Sequence, residues 1–483
     1  MREQTDINGA WNKERKRINR TALISVVLAA VMIVTFFAGY FVRGMTEASS
    51  TRKINELLGI IQNTSVYAGD KTEDELAADL IKEILKDDKY ARYYSPKEYE
   101  KVLEEDKGRY SGVGIGLVEV QAGDEKVVKI AKVYLNSSAY KKGVKEGDRL
   151  IAGRFKGETY EDENDYTDFA AKAKEDNSEN NIFKKSSDDG VSVLSVINDF
   201  FAGFDIGDEL DIKVMRDGET EPIKFTVKKE NYTVSYVEYK DNEKYYYFST
   251  DTDGFKGRED DYSDYPDKAL PVVIDHDTAY IKLYEFEGSA AAQFAEALEY
   301  MRTRGKTRLI LDLRDNGGGL IDVLLEIASY IINDNDASNI KILNFKDTLS
   351  ESHYSAANRF YKGAYRLTDI SVIANAGTAS ASECLIGALI DYGNKEQYGG
   401  AQFGYDRLVL TPKKDANGND VYRTYGKGIM QTTYPLKSGG ALVLTTAYIS
   451  WPVSRRCVQG EGVTSDVNAT DENAIARANA VLH

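Results

Sequence analysis

The pattern of apolar and polar residues divides the chain into an apolar N-terminal segment, a helical region and two regions rich in strands. Thr21–Val42 has no charged residue, and as a helix it would be about 33 Å long, enough to span a bilayer. Helical periodicity follows in Ile54–Ile61 and Glu73–Leu85, and Ser95 before Pro96 is typical of a helix start. The pattern therefore predicts a membrane helix followed by a helical arm.

Short, continuous apolar runs in the C-terminal half predict buried strands at Thr278–Leu283, Arg308–Arg314 and Ile370–Ala374. The second run leads into the glycine turn Asp315–Gly319 and then into the helical pattern Leu320–Ile331. A strand, a glycine turn and a helix in succession form a ready anion site, because free N–H groups collect at the helix start. A plain strand–helix connection is the alternative, although three consecutive glycines are more than it needs.

The middle of the chain has strand-like segments at Tyr110–Leu117 and Val127–Val133. Most of the acidic stretch Phe155–Phe201 is expected to be an exposed loop or partly disordered, with a helix near Val191–Phe201 at its end. The acidic, tyrosine-rich stretch Asp251–Asp267 is expected to be a surface linker to the C-terminal half. This region is therefore predicted to be a separate β-rich domain.

Ser380 is the candidate nucleophile. It lies in Asn375–Glu383, where small residues separate an apolar strand pattern from a helical one. Small neighbours let a substrate backbone come close, and free N–H groups at a helix start can hold a developing oxyanion. A helix cap rich in serine and threonine is the alternative interpretation.

A serine nucleophile needs a base, and Lys427 is the candidate. Glycines flank it and Ile429 and Met430 follow, which suits a buried amine that stays neutral; Gln431 could orient it. One alternative is a plain turn lysine. The other is a Ser-His-Asp triad, for which the three histidines of the chain are available: His276, His353 and His483.

Three motifs together resemble the C-terminal processing peptidases, also called tail-specific proteases, which are serine proteases with a Ser-Lys dyad. They are Gly377–Glu383, Asp391–Gly393 and Tyr425–Gln431. The resemblance implies that Ser380 is the nucleophile, that Lys427 is the general base, and that Gln431 orients it. It also implies a ClpP/crotonase-like layered arrangement of sheet and helices in the protease core.

The serine-to-lysine spacing departs from the family. It is 427 − 380 = 47 positions, whereas the family has roughly two dozen. An insertion at Tyr405–Thr424 explains the difference, and it predicts a hairpin of Leu408–Leu410 with Val421–Arg423 around the turn Asp415–Gly418. A calcium loop at Asp415–Asp420 is the alternative, but its glycine is misplaced for one.

The resemblance extends to two backbone sites. In the family the glycine turn and the residue after the nucleophile supply the oxyanion N–H groups, which here are Gly318 and Ala381. The β-rich domain resembles a PDZ domain, whose glycine loop binds a peptide C-terminal carboxylate. That loop falls on Val113, Gly114 and Ile115. A dinucleotide loop is the alternative, but its glycine spacing differs and a strand follows instead of a helix.

The distribution of charge predicts where the protein is located and which partners it excludes. Basic residues precede Thr21–Val42 and Arg43 follows closely, which places the N-terminus in the cytoplasm and the rest outside; a cleaved signal peptide is the alternative. The net charge of −16 argues against nucleic acid as a partner.

Cys384 and Cys457 are expected to be buried thiols, with Cys384 on the wall of the candidate site. Neither a metal nor a cofactor is expected.

The sequence thus predicts a multidomain α+β protein anchored in the cell membrane by a single pass. The predicted parts are a cytoplasmic tail (1–20), a transmembrane helix (21–42), a helical arm (43–105), a PDZ-like domain (106–232) with an acidic insertion (about 155–201), and an α/β serine-protease core (233–483) with a hairpin insertion (about 405–424). Expected partners are proteins or peptides with accessible C-termini and, through the arm, a second copy in a homodimer. A silent PDZ scaffold and a small-amide hydrolase are the alternative functions.

Overall fold

The computed structural model describes residues 56–57, 59–61, 73–123, 125–134, 137–156, 165–178, 192–251, 254–263, 268–332, 339–357, 367–393, 403–415 and 417–482. The chain separates into two compact units, Met1–Asp79 and Leu80–His483. The predicted membrane segment Thr21–Val42 lies outside the described residues. Within them, no helix is both long and apolar enough to cross a bilayer.

The predicted arm contains helices and one strand. Its elements are α1 (Glu73–Ile84), β1 (Arg92–Tyr94) and α2 (Pro96–Asp106). The predicted helix start is confirmed, because Ser95 caps α2 in a reciprocal capping box with Glu98. The strand β1 was not predicted; its three residues pair with a distant strand of the C-terminal half, a contact that local periodicity does not show.

The β-rich module, as we call residues 109–233, has its own apolar core. Its elements are β2 (Arg109–Gly112), β3 (Ile115–Ala122), β4 (Glu125–Val133), α3 (Ser138–Lys141), β5 (Arg149–Phe155), β6 (Thr167–Asp168), α4 (Phe169–Ser178), α5 (Val193–Ala202), β7 (Glu209–Met215), β8 (Ile223–Lys228) and β9 (Glu230–Thr233). The main sheet has the order β3-β4-β5-β7-β8, β6 pairs with β5, and β2 pairs with β9.

The described part of the acidic insertion contains two helices, α4 and α5. The helix predicted near Val191–Phe201 is confirmed as α5, but the expectation that most of the stretch is an exposed loop is wrong for its described part. Phe169 on α4 and Ile197 on α5 are both completely buried and belong to the core of the module. These apolar positions anchor the two helices despite the acidic residues around them.

The C-terminal half has mixed α/β content. Its elements are β10 (Val237–Lys240), β11 (Lys244–Asp251), β12 (Gly254–Asp261), β13 (Thr278–Leu283), α6 (Ala290–Thr303), β14 (Arg308–Asp312), α7 (Ile321–Ile331), β15 (Asn339–Lys346), β16 (Glu351–Ala357), β17 (Asp369–Ala374), α8 (Ala381–Gly393), a 3-10 turn (Tyr405–Arg407), β18 (Leu408–Leu410), β19 (Lys413–Lys414), β20 (Asp420–Val421), β21 (Ile429–Pro435), β22 (Ala441–Ser450), β23 (Val467–Asn468) and α9 (Ala474–Ala480).

The larger sheet has the order β12-β11-β10-β13-β14-β17-β18-β23, and it is parallel from β13 onwards. A smaller sheet has the order β1-β22-β15-β16, with β21 paired to β22. Helices α7 and α8 pack against the smaller sheet, on β16 and β15. One continuous apolar core joins both sheets and these helices.

Two sequence expectations for this half are wrong. The stretch Asp251–Asp267 is not simply a surface linker, since β12 within it pairs along its whole length with β11. The run Leu408–Leu410 is not a hairpin arm: it is completely buried and pairs in parallel with β17. The hairpin is the shorter pairing of β19 with β20 around the predicted turn. Both errors arise because sheet partners distant in sequence decide the pairing.

The parallel pairing of β14 with β17 positions the site. Arg308 lies beside Asp369, and Asp312 lies beside Ile373, so both strands end at the same edge of the larger sheet. The glycine turn follows β14 and the serine turn follows β17. Crevices at the carboxyl ends of parallel strands are the usual place for ligands in such sheets.

Candidate active site

Ser380 lies on a sharp turn between β17 and α8. Its φ of +57° is in the left-handed region, which is unusual for a residue with a side chain and costs about 1 kcal/mol or more. Buried hydrogen bonds hold the turn in this shape: the Thr378 hydroxyl donates to the Leu313 carbonyl (2.7 Å), and the Asn375 N–H donates to the Thr378 hydroxyl (3.0 Å). A strained strand–turn–helix connection that presents a serine is typical of hydrolytic nucleophiles.

Asn316 joins the glycine turn to the serine turn. It is completely buried, and its carbonyl accepts hydrogen bonds from the Ala379 N–H (3.0 Å) and the Ser382 hydroxyl (3.0 Å). Gly318 then approaches so closely that a Cβ there would lie 2.8 Å from the Ser380 Cβ. A glycine at this point is therefore a steric requirement of the site.

The two predicted oxyanion donors differ in whether their N–H groups are already hydrogen-bonded. The Ala381 N–H has no hydrogen bond to any described residue, so it is free to donate to a substrate oxygen. The Gly318 N–H instead donates to Asn316 Oδ1 (3.0 Å). Its predicted role therefore requires the amide to exchange that side-chain oxygen for a substrate oxygen.

Lys427 precedes β21 and lines the same cavity as Ser380. Burial lowers the pKa of the Lys427 amine, against an opposing effect of Tyr425. Both side chains are described, and no hydrogen bond connects Lys427 Nζ to Ser380 Oγ. The amine lies instead over the ring of Tyr90, 4.7 Å from its centroid.

Glu383 connects the two candidate catalytic residues, and the sequence analysis assigned it no role. Its carboxylate is completely buried. One oxygen accepts the Ser380 N–H (2.9 Å) and the Lys427 N–H (2.8 Å). The other accepts the Gly426 N–H (2.8 Å) and the Thr424 hydroxyl. The bond to Ser380 repeats the serine–x–x–glutamate capping pattern, a signal by which the sequence could have revealed this residue.

Gln431 makes no hydrogen bond to Lys427 in this structure. Its Nε2 donates to the Thr445 hydroxyl (3.2 Å), and that hydroxyl donates to the Asp88 carboxylate (2.9 Å). Gln431 nevertheless lines the cavity that holds Ser380 and Lys427. Its orienting role stays a prediction, whereas the structure shows what holds its own amide.

The cavity has a volume of about 610 Å³. Its polar side carries the candidate catalytic residues and the glycine turn. The lining also includes the apolar side chains Leu324, Leu343 and Ile449, which suit an apolar substrate side chain. Cys384 lines it as expected; burial raises the pKa of this thiol to about 12, which keeps it protonated and unreactive.

Other predicted features fall outside this cavity. Cys384 and Cys457 are both free thiols; Cys384 is buried as expected, whereas the expectation that Cys457 is buried is wrong, because it is only partly buried. Among the described residues no cluster suits a metal ion, and the Asp415 carboxylate accepts N–H groups of its own turn from Asn417 (2.8 Å) and Asn419 (2.9 Å). His276 and His353 do not line the cavity, and His483 lies outside the described residues.

The peptidase family S41 model matches residues 277–414, a range that includes the glycine turn, Ser380 and Glu383. The chain is a serine endopeptidase of the C-terminal processing type. The match ends before Lys427, so it does not include the candidate base.

Curated relatives resemble the peptidase over nearly its whole length. A probable CtpA-like serine protease of Staphylococcus saprophyticus is 22% identical over 487 residues, covering 96% of this chain and 78% of the relative. The one from Staphylococcus aureus strain COL is 23% identical, covering 94% and 74%. The solved photosystem II D1 C-terminal processing protease is 18% identical, covers 87% of this chain and 93% of its own, and has a TM-score of 0.45.

The peptidase is expected to become more active as pH rises above neutrality. Lys427 must be neutral to accept a proton, and burial already favours that form by lowering its pKa. A profile of kcat/KM against pH should rise toward a plateau, with a midpoint below that of an ordinary lysine. A rate that is constant or falls above neutrality would contradict Lys427 as the base. Lys427→Arg, which cannot become neutral, should be inactive throughout.

Proposed function

We propose that this protein is a membrane-anchored, extracytoplasmic serine endopeptidase with a Ser380–Lys427 dyad, which cleaves proteins recognised at or near their C-termini. The observation that carries the proposal is the shared anchor at Glu383. A single buried carboxylate oxygen accepts the backbone N–H groups of both Ser380 and Lys427. This fixes the two chain segments side by side at the wall of one cavity.

The reaction is an acyl transfer. Lys427, as a neutral amine, takes the proton of Ser380 Oγ while that oxygen attacks the scissile carbonyl carbon. The N–H groups of Ala381 and Gly318 stabilise the negative charge that develops on the carbonyl oxygen. Lys427 then returns the proton to the departing amine, and water hydrolyses the ester on Ser380.

Recognition of a substrate C-terminus is assigned to the PDZ-like loop of the β-rich module. Gly114 has a φ of +87°, and its carbonyl accepts hydrogen bonds from the Tyr134 N–H (3.0 Å) and the Ser137 hydroxyl (3.3 Å). The Val113 and Gly114 N–H groups have no partner among the residues that the structure describes. Free N–H groups beside the edge strand β3 suit a peptide carboxylate; Ile115 begins that strand.

The extracytoplasmic location is supported by the sequence of the N-terminus. Thr21–Val42 is long enough to span a bilayer, and Lys13, Arg15, Lys16, Arg17 and Arg20 precede it. This charge distribution favours a cytoplasmic N-terminus with the catalytic part on the opposite side of the membrane.

Product mapping with the full chain in detergent tests this function. The protein is incubated with an unfolded protein substrate, new termini are mapped by mass spectrometry, and a fluorophosphonate identifies the reactive serine by its labelled peptide. We expect new internal termini and label on Ser380. Binding of C-terminal peptides without new termini would instead favour the silent scaffold. Hydrolysis of small amides with proteins left intact would favour the small-amide hydrolase.

A further inference from the structure

A short segment of the arm lies against the proposed base. We call residues 88–94 the arm segment; it contains β1, which pairs with β22 between Arg92 and Val443. β22 also pairs with β21, the strand that follows Lys427. The arm segment thus contributes to the same sheet as β21, although more than 300 positions separate the two in sequence.

Tyr90 is the arm residue that contacts the amine. Lys427 Nζ is 4.7 Å from the centroid of its ring, a distance at which the ring face covers one side of the amine. The Tyr90 hydroxyl lies 3.5 Å from the hydroxyl of Tyr425, which is two positions before Lys427. The ring therefore occupies a place where water would otherwise solvate the charged form of the amine.

Asp88 fixes the arm segment at this position. Its carboxylate accepts the Thr445 N–H (2.9 Å) and the Thr445 hydroxyl (2.9 Å), and it also accepts the Tyr90 N–H (3.1 Å). The same Thr445 hydroxyl accepts the Gln431 amide. Asp88 thus connects the residue that covers Lys427 with the residue predicted to orient it.

We propose that Tyr90, held in place by Asp88, is a positioning residue for Lys427: its ring shields the amine from water and so keeps the base in its neutral form. The inference rests on the proposed function, because it takes Lys427 as the base. It deepens that function by making the arm a component of the catalytic site.

Two effects of the ring oppose each other. Its π face attracts a cation and favours the ammonium form, whereas the exclusion of water favours the neutral amine. The pKa of Lys427 is lowered, with burial as the largest cause, and the Tyr90 ring is one of the groups that bury the amine. The other charged and titratable groups that act on this amine include Tyr425, Arg92, Glu383 and Lys89.

The test measures the titration of Lys427 without using catalysis. Full-length protein carrying Ser380→Ala is acetylated with trace acetic anhydride over a range of pH, and mass spectrometry of the Lys427 peptide gives the midpoint of its reactivity. Tyr90→Ala should move this midpoint upward by about half a pH unit or more, since water then reaches the amine. Tyr90→Phe, which keeps the ring, should leave it in place.

Asp88→Asn should also move the midpoint upward, because the arm segment loosens; loss of the Asp88 charge alone would move it downward. Asp87→Asn, at the exposed neighbouring position, is the matched control and should have no effect. An unchanged or lower midpoint in Tyr90→Ala, or equal shifts in Tyr90→Phe and Tyr90→Ala, would overturn the proposal. Failure of the proposed function appears separately, as protein cleavage that persists when Ser380 is replaced in otherwise wild-type protein.

Discussion

Replacement of Ser380 by alanine is expected to reduce kcat/KM for a peptide substrate by about 10³-fold or more, with the fold retained. The hydroxyl supplies the attacking oxygen, and no other group in the proposed reaction can take its place. The side chain itself makes no hydrogen bond to a described residue, so its loss should leave the unfolding temperature nearly unchanged. Cleavage assays and thermal unfolding of the same preparation check both statements.

Ser382→Ala is the matched control, since this serine lies two positions further along the chain, at the start of α8. Its hydroxyl is completely buried and donates to the Asn316 carbonyl (3.0 Å). Removing it should cost about 1 kcal/mol of unfolding free energy while cleavage persists. If Ser382→Ala remained folded but inactive and Ser380→Ala cleaved normally, the nucleophile assignment would be wrong.

Glu383→Gln is expected to have the second-largest effect, a loss of both activity and stability. Among the described residues, four donors converge on this carboxylate: the N–H groups of Ser380, Gly426 and Lys427, and the Thr424 hydroxyl. A glutamine would turn an NH₂ group toward two of these donors and leave them without an acceptor. Each buried unsatisfied donor costs about 1–3 kcal/mol, so we expect a destabilisation of about 2–6 kcal/mol.

The activity of Glu383→Gln should fall more than its stability alone explains. The carboxylate fixes the backbone of both dyad residues, and a displacement of about 1 Å can cost on the order of 10²-fold in rate. Asp391→Asn, near the other end of α8, is the control: its carboxylate accepts the Val453 and Ser454 N–H groups (2.8 and 2.9 Å). That variant should keep its activity. A wild-type kcat/KM in folded Glu383→Gln would refute the anchoring role.

The parts of the site that are local in sequence were predictable from it. Arg308–Arg314 and Ile370–Ala374 are continuous apolar runs that end in small-residue turns, so the strands and the position of Ser380 were predictable. Lys427 was predicted as the candidate base from its flanking glycines and from the family motif. In both cases the signal lies within a few neighbouring residues.

Features that depend on distant partners were missed. Glu383 stands in a quoted motif, but its bonds to Thr424, Gly426 and Lys427 cross more than forty positions. Leu408–Leu410 is too short to reveal by its own pattern that it pairs with β17 instead of folding into a hairpin. Tyr90 lies in a polar turn whose composition gives no sign of the lysine it covers.

The hydrogen bonds between Asp88 and Thr445 have a consequence for the order of assembly. They join residues 357 positions apart, so forming this contact has a large entropic cost of loop closure. It also requires almost the whole chain to be present. We therefore expect the arm to dock after the core has folded. A growing chain would then acquire its proteolytic competence only after β22, which carries Thr445, is in place.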